Sequence, residues 1–270
     1  MTKVRALVIT GFGFNCEAET AYALQQAGAV AEKVHLNDLL DGTRRLDEFH
    51  ILAFVGGFSF GDHVGAGTVC ANRLRHRLSG RGGIDDFIRS GRLMIGICNG
   101  FQVMVKLGVL PGFDGDYRTR KVTLASNDSG VFRDAWVYLR ANPKSPCVFT
   151  KGIEEMYLPV RHGEGKFIAD SDATRRRLFE NHQVALQYID PIAHEPTQEF
   201  PSNPNGAEDA IAGVCDPTGR IFGVMPHPEA YFSPYNHPRW MRQKIEGKLP
   251  KEGLGAAVFR NAVRFAETEL

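Results

Sequence analysis

The sequence of 270 residues is long enough to bury a sizeable hydrophobic core, as one large domain or two small ones. Its 32 lysine and arginine residues balance 31 aspartate and glutamate residues, and the net charge of +1 indicates neither a nucleic-acid nor a membrane partner. Five cysteines without a C-x-x-C pair argue against a disulfide framework and against a zinc site. The apolar run near the N-terminus is too short for a signal peptide, and no membrane-length stretch follows, so we expect a cytoplasmic protein.

Strand-like and helix-like segments alternate through the first half of the chain, which predicts a parallel α/β sheet with helices on its faces. The predicted elements, in chain order, are a strand at Val4 to Ile9, a helix at Cys16 to Ala27, a strand at Ala31 to His35, a strand at Ile51 to Val55, helices near Val64 to Leu78 and at Ile84 to Ser90, and a strand at Leu93 to Ile97. Glycines follow the first and third strands. Because ligands of such sheets bind at the carboxyl ends of the strands, we expect these turns to share one rim.

The second half of the chain is less regular and predicts a mixed extension of the sheet. Its predicted strands are Lys121 to Ala125, Ala135 to Leu139, Met156 to Val160, Val184 to Tyr188, Ala210 to Cys215 and Ile221 to Val224. The stretch "PTQEFPSNPNG" is typical of a surface loop rather than a domain linker. We interpret residues 231 to 253 as an insertion-like loop that covers part of the surface, with a functional loop as the alternative. We expect a single domain over residues 1 to 270.

One cysteine, Cys98, lies between the last strand of the first half and a helical repeat of Phe101, Val105 and Gly108. The residues from Gly96 to Gly100, G-I-C-N-G, have the pattern of the G-x-S-x-G nucleophile elbow, with sulfur in place of oxygen. A tight turn of this kind exposes the nucleophile, and the helix N-terminus favours a thiolate. The alternative is a small core residue, as most free cysteines are. The elbow pattern favours the nucleophile.

A cysteine nucleophile needs a base that takes and returns a proton, and the base needs an orienting carboxylate. The segment "VMPHPE" offers His227 and Glu229, two residues apart and therefore on the same side of an extended backbone. The segment "VRHGEG" offers His162 and Glu164 with the same spacing. The local sequence does not choose between these two pairs. The other seven histidines have no such partner.

An acyl-transfer intermediate also needs two amide donors for its oxyanion. The backbone N–H of Asn99 is one candidate, because it is the first amide after the nucleophile. The backbone N–H of Gly57 is the other, since glycines after a buried strand can turn an amide outward. The alternative is that Gly56 and Gly57 form only a tight turn. This segment lacks both glycine-rich nucleotide-binding patterns, and no nucleotide motif is found elsewhere in the sequence.

With "GICNGFQ", "GGFSFGD" and "MPHPE" present, and with Cys98 followed by His227 and Glu229, the sequence resembles the class I (triad) glutamine amidotransferases. Within that class, "TGFGFNCEAET", "NDSGVF", "RHGEGKF" and "NPNG" make it similar to the glutaminase subunits of phosphoribosylformylglycinamidine synthases, over most of residues 3 to 229. The resemblance implies a flavodoxin-like α/β fold, in which a mostly parallel sheet has helices on both faces and a mixed extension. The sequence departs from the family at Ala230, where arginine is common, and in the length of residues 231 to 253.

The resemblance also implies roles for individual residues. By this likeness Gly56 and Gln102 bind substrate, the Gly57 and Asn99 amides form the oxyanion hole, and His162 is a pocket-edge or interface residue. The implied catalytic triad is Cys98, His227 and Glu229.

The implied reaction is hydrolysis of glutamine to glutamate through a γ-glutamyl thioester on Cys98. The ammonia would pass to a separate synthase subunit that binds ATP and formylglycinamide ribonucleotide, and a small third subunit would join the assembly. No cofactor or metal is expected on this chain, because ATP and magnesium belong to the synthase partner.

Two other functions remain open. A cysteine α/β-hydrolase acting on esters or lactones would share the elbow and a downstream histidine, although its acid normally comes well before the histidine, whereas Glu229 follows His227. An amidotransferase-like binding module would keep the pocket and sense a ligand without turning it over.

Overall fold

A nine-stranded sheet forms the centre of the computed structural model, which describes residues 3–78, 80 and 82–270. The strands of the chain are β1 (Arg5–Thr10), β2 (Val30–His35), β3 (Ile51–Phe54), β4 (Leu93–Ile97), β5 (Val122–Ala125), β6 (Arg133–Ala141), β7 (Glu155–His162), β8 (Lys166–Ala169), β9 (Val184–Tyr188), β10 (Ile211–Cys215) and β11 (Ile221–Val224). In the large sheet they lie in the order β2-β1-β3-β4-β11-β10-β9-β6-β7. The five strands from β2 to β11 pair in parallel, and the strands from β11 onward pair antiparallel. The predicted parallel sheet and its mixed extension are confirmed.

Helices cover this sheet. They are α1 (Glu17–Gln26), α2 (Leu36–Leu40), α3 (Thr68–Arg77), α4 (Ile84–Arg89), α5 (Asn99–Leu107), α6 (Asp172–Glu180), α7 (Trp240–Ile245) and α8 (Ala256–Glu269). Helix α3 packs on α5, and α1 packs on α8. The buried hydrophobic residues, from Val4 to Ala266, form one connected cluster. Among the described residues, no helix is both long and apolar enough to cross a membrane.

The register of three neighbouring parallel strands places their carboxyl ends side by side. Phe54 of β3 pairs with Gly96 of β4, and Ile97 of β4 pairs with Val224 of β11. All three strands are completely buried, as their continuous apolar sequences require. The segments after them, which begin at residues 55, 98 and 225, therefore meet at one edge of the sheet.

Three elements in the second half of the chain differ from the prediction. Strand β5 does not extend the large sheet but pairs antiparallel with β8 in a separate two-stranded sheet. Neither β8 nor α6 was expected, because β8 buries only Phe167 and α6 buries only Thr174 and Leu178. The signal for α6 is its N-cap, where the Ser171 hydroxyl accepts a hydrogen bond from the Thr174 amide at 3.2 Å.

The two predicted loops are more structured than expected. Residues 231 to 253 do cover part of the surface, but they include α7, and the His237 ring packs 5.7 Å from Trp136 of β6 and 5.4 Å from Tyr157 of β7. In "PTQEFPSNPNG", the first residues are mostly exposed, whereas Asn203 and Asn205 are buried. Their amide groups bond to neighbouring polar groups, which a loop of this composition does not reveal from sequence.

Candidate active site

Cys98 lies on a strained turn between β4 and α5. Its backbone has φ +50° and ψ −107°, an uncommon conformation for a residue other than glycine. The Cys98 N–H donates to Val224 O at 2.8 Å, which fixes the turn against β11. Its thiol donates to the carbonyl oxygen of Arg161 on β7 at 3.5 Å. The structure therefore has the elbow that the sequence predicts.

His227 and Glu229 form a buried pair directly after β11. The His227 N–H donates to Pro159 O at 2.8 Å, and its Nδ1 lies 2.5 Å from Glu229 Oε1. Only 2% of His227 and 3% of Glu229 is exposed. A carboxylate on Nδ1 fixes the tautomer that leaves Nε2 free to accept a proton, and Nε2 has no hydrogen-bond partner among the described residues.

The pKa of His227 reflects two opposing effects. Burial lowers this pKa, but the Glu229 carboxylate and the negative charge of a Cys98 thiolate raise it, and the net result lies well above the usual histidine value. Because a charge on Cys98 affects the pKa of His227, the imidazole and the thiol are close together. The thiol nevertheless donates its hydrogen bond to the Arg161 carbonyl rather than to His227. His227 is thus suited to hold the proton that Cys98 gives up.

His162 has a different environment, which separates the two histidine pairs that the local sequence left equal. Its Nδ1 lies 3.1 Å from Asn127 Oδ1, and its Nε2 lies 3.4 Å from Asn205 Nδ2. Burial lowers the pKa of His162 to about 3, with a smaller contribution from the charge of His227. The ring is 2% exposed, so His162 is an interior residue rather than the pocket-edge or interface residue that we expected. Glu164 accepts a hydrogen bond from the Ala66 amide at 3.1 Å and does not orient His162.

The two glycines after β3 have separate structural roles. At Gly56, an added Cβ would lie 2.7 Å from Cε1 of His227, so only glycine leaves space for the imidazole. At Gly57, φ is +140° and an added Cβ would lie 2.6 Å from Gly13 O. Gly56 therefore contributes to the site by leaving room for the His227 ring.

Neither of the two predicted oxyanion donors has a hydrogen-bond acceptor in the described part of the chain. Gly57 pairs with Phe14 across a single antiparallel β-bridge. In this bridge, Phe58 N–H donates to Gly13 O and Asn15 N–H donates to Gly56 O. The Gly57 N–H takes no part in these hydrogen bonds. The Asn99 N–H belongs to the first turn of α5, where amides have no acceptor within the helix.

A cavity of about 290 Å³ opens onto Cys98 and His227. It is lined by Asn15, Cys16, Glu19, Gly57, Phe58, Cys98, Phe132, Arg161 and His227. Sequence reasoning did not assign the other lining residues to the site: Asn15, Cys16, Glu19, Phe58, Phe132 and Arg161. The glycines after β1 indicated the rim on which Asn15 and Cys16 lie, and Arg161 stands beside His162 in "VRHGEG". Phe132, just before β6, ends the family motif "NDSGVF", but its local spacing does not place it at the cavity.

Gln102, which the family resemblance assigns to substrate binding, does not line this cavity. Its Oε1 accepts from Asn99 Nδ2 at 2.9 Å, and its Nε2 donates to Glu164 O at 2.6 Å. The side chain is 4% exposed. Gln102 therefore connects the elbow helix to the segment after β7 in this conformation.

A second thiol, Cys16, lies beside the histidine. Burial raises the pKa of Cys16, the nearby His227 opposes this effect and the Glu229 carboxylate adds to it, so that the thiol stays protonated. Ligand atoms of Cys16, His227 and Glu229 lie within 4.8 Å of one another, which is close enough to consider a metal ion. However, the 2.5 Å between His227 Nδ1 and Glu229 Oε1 is a hydrogen bond, shorter than the roughly 3.3 Å between two ligands on tetrahedral zinc. In this geometry the three groups do not fit a metal ion.

Comparison with known proteins identifies the family of this chain. The family model described as "CobB/CobQ-like glutamine amidotransferase domain" matches residues 3–266. A protein of Dehalococcoides mccartyi named phosphoribosylformylglycinamidine synthase subunit PurQ is 46% identical over 98% of this chain and 99% of its own length. A protein of the same name from Methanococcus maripaludis is 42% identical over 97% of both chains. Among solved structures, a chain in the structure of PurLQS from Thermotoga maritima matches with a TM-score of 0.67 and 28% identity, over 98% of this chain and 99% of that one. The chain belongs to the family of CobB/CobQ-like glutamine amidotransferase domains.

Proposed function

We propose that the protein is the glutaminase subunit of a phosphoribosylformylglycinamidine synthase. The observation that carries the proposal is the buried His227–Glu229 pair, with its 2.5 Å hydrogen bond, next to a cysteine on a nucleophile elbow. Nucleophile, base and orienting acid are the three groups that cysteine-dependent acyl transfer requires. The names of the relatives supply the particular synthase.

In the first half of the reaction, His227 Nε2 takes the thiol proton and Cys98 Sγ attacks the γ-carboxamide carbon of glutamine. The C–S bond forms as the carbonyl becomes an oxyanion, which the N–H groups of Gly57 and Asn99 stabilise. The imidazolium then gives its proton to the departing nitrogen, the C–N bond breaks, and ammonia leaves. Glu229 keeps its negative charge and holds the ring throughout.

In the second half, water replaces ammonia in the cavity. His227 removes a proton from this water as it attacks the thioester carbonyl, and the same two amides hold the oxyanion. Collapse of the intermediate breaks the C–S bond, the proton returns to sulfur, and glutamate leaves.

The cavity wall suits an amino acid. Glu19 and Arg161 line it, and neither side chain forms a hydrogen bond or ion pair with any part of the chain that the structure describes. A carboxylate and a guanidinium are complementary to the α-ammonium and α-carboxylate groups of glutamine. An ester or lactone would leave both charges without a partner. With about 290 Å³, the cavity is at the small end for ligand pockets and fits an amino acid better than a nucleotide.

The proposal includes partners. Ammonia from this chain is used by a separate synthase subunit that binds ATP, magnesium and formylglycinamide ribonucleotide, with a small third subunit in the assembly. Support comes from the solved Thermotoga maritima structure, which is named PurLQS and contains the related chain. We place the assembly in the cytoplasm, where thiols stay reduced, since all five cysteines are free.

The experiment for the proposed function uses the assembled enzyme. In Cys98→Ala, glutamine-dependent synthesis is lost and synthesis from ammonium salts continues, because only the thiol is removed. Cys70→Ala is the matched control, since Cys70 is a buried cysteine of α3 that does not line the cavity, and it retains both activities. Glutamine turnover in Cys98→Ala would refute the mechanism.

A reactive analogue separates the alternatives. An electrophilic glutamine analogue labels Cys98 if the protein is an amidotransferase. Labelling by ester-directed reagents alone would favour the hydrolase, and binding of glutamine without turnover in the full complex would favour the sensing module.

A further inference from the structure

The side chain of Asn99 links the nucleophile elbow to the loop that follows β3. Asn99 is completely buried. Its Oδ1 accepts a hydrogen bond from the Ser59 amide at 3.2 Å, and its Nδ2 donates to Asp62 Oδ1 at 3.2 Å. Ser59 is two residues from Gly57, so this amide group ties the loop that carries the second oxyanion donor to the elbow helix.

The same amide group reaches the segment after β7. Asn99 Nδ2 also donates to Gln102 Oε1, and Gln102 Nε2 donates to the Glu164 carbonyl. Glu164 in turn accepts from the Ala66 amide through its carboxylate. These hydrogen bonds thus link three segments to one another: the elbow helix, the segment after β7 and the far end of the loop after β3.

We propose that Asn99 is a positioning residue for the glutaminase reaction, whose side chain fixes the Gly57 N–H relative to the Asn99 N–H and Cys98. This inference rests on the proposed function. An oxyanion hole needs its two donors at a set distance from the reacting carbon. The backbone hydrogen bonds at Gly56 and Phe58 fix the loop to the segment after β1, and the Asn99 side chain fixes it to the elbow that carries Cys98. Asn99 contributes one donor through its backbone and anchors the other through its side chain.

Charge explains why an amide suits this position. The Asp62 carboxyl group accepts from Asn99 Nδ2, whereas the other two hydrogen-bond partners of this side chain, the Ser59 amide and the Gln102 side chain, are neutral. The Glu164 carboxylate bonds to the Ala66 amide and lies near Asp62. Burial together with the Glu164 charge raises the pKa of Asp62 to about 6. Asn99 Nδ2 donates toward Asp62 while Oδ1 accepts from Ser59, and no other side chain of this size does both without adding charge.

Two substitutions test the inference in the complex with the synthase. In Asn99→Ala we expect kcat to fall between about 10-fold and the roughly 10³-fold that loss of one oxyanion donor costs, while KM changes less than about threefold. Asn99→Asp has nearly the same shape and remains informative if the alanine variant does not fold. Its carboxyl group donates a hydrogen bond only when protonated, so its kcat relative to wild type rises as the pH is lowered from about 8 to about 5.5.

Alkylation of Cys98 by iodoacetamide distinguishes positioning from damage to the elbow. This reaction forms no oxyanion, so in Asn99→Ala, which adds no charge beside the thiol, its rate stays within about twofold of wild type. Asn261→Ala is the matched control, because the Asn261 amide donates to Phe149 O and Lys151 O and does not line the cavity. Its kcat remains that of wild type.

The results separate the inference from the proposed function. The wild-type turnover of glutamine tests the proposed function, and the ratio of variant to wild type tests the positioning role. A folded Asn99→Ala protein with wild-type kcat would overturn the inference. So would a loss of alkylation in proportion to kcat, or an Asn99→Asp profile parallel to wild type at every pH.

Discussion

The two histidines near the cavity provide the sharpest test of the mechanism. We expect His227→Ala to lower the rate of thioester formation by about two to four orders of magnitude, the usual value of general acid–base catalysis. Without the imidazole, the Cys98 thiol has no base and keeps its hydrogen bond to the Arg161 carbonyl. His162→Ala retains all three triad groups and should lower this rate much less.

The main effect of His162→Ala is on stability. Both hydrogen-bond partners of the ring keep a second partner, because Asn127 Oδ1 also accepts from the Gly165 amide at 3.1 Å and Asn205 Nδ2 also bonds to Tyr188 Oη at 3.2 Å. The free energy of unfolding should therefore fall by about 2 to 4 kcal/mol, chiefly through the cavity that the lost ring leaves.

The pKa of His162 also predicts how stability depends on pH. The folded pKa of about 3 is below the ordinary value of 6.5, so the folded state keeps the ring neutral while the unfolded state gains a proton. This contribution is fully present above pH 6.5 and is lost as the pH falls toward 3, at about 1.4 kcal/mol per pH unit. His162→Gln, which cannot titrate, should lose less stability than wild type over this range.

The assay combines acid-quenched trapping of the thioester with denaturant unfolding at several pH values. Thioester formation is measured at a temperature at which all variants are folded. If His162→Ala impairs thioester formation more than His227→Ala does, the base has been assigned to the wrong histidine. Equal pH dependence of unfolding in wild type and His162→Gln would contradict the neutral buried ring.

Four further outcomes are expected. Glu229→Gln lowers kcat at least about 100-fold and moves the His227 pKa, seen in the pH–rate profile, downward, because the carboxylate that raises this pKa is gone. Gly57→Ala lowers kcat at least about 10-fold, since the added Cβ forces the loop away from Gly13. Mass spectrometry after brief iodoacetamide treatment finds label on Cys98 and none on Cys16, whose buried thiol stays protonated. The lone chain hydrolyses glutamine slowly and is activated by the synthase with its nucleotide, because its Cys98 thiol bonds to a carbonyl rather than to His227. Equal rates of glutamine hydrolysis by the lone chain and by the complex would contradict this prediction.

The edge strand β2, which contains Glu32 and Lys33, is only partly buried. The other four parallel strands, β1, β3, β4 and β11, could be predicted because each contains a continuous apolar run. Strands of this kind are buried on both faces, and their pattern depends little on the rest of the protein. Strand β8 and helix α6 could not be predicted in the same way. Strand β8 buries only Phe167, and α6 buries two side chains, so tertiary contacts rather than local pattern hold them.

The same distinction applies to the site. The local sequence identified Cys98 because the glycines of an elbow lie next to the nucleophile, but it left His227 and His162 equal. Their difference comes from distant residues. Asn127 and Asn205 surround His162, and the β11 register places His227 beside the elbow. Contacts between residues so far apart in the chain cannot be predicted from the local spacing of residues in the sequence.

The two thiols that line the cavity differ in how readily they ionise, because their surroundings differ. Cys98 and Cys16 are both buried, both line the cavity and both lie close to His227. Cys98 stands at the N-terminus of α5, where unpaired amides stabilise a thiolate and an oxyanion alike. Cys16 donates instead to Asn15 Oδ1 at 3.4 Å and faces the Glu229 carboxylate, which opposes a second negative charge. In the proposed mechanism, the acid that makes His227 a better base thus adds to the burial that chiefly keeps Cys16 protonated and out of competition with Cys98.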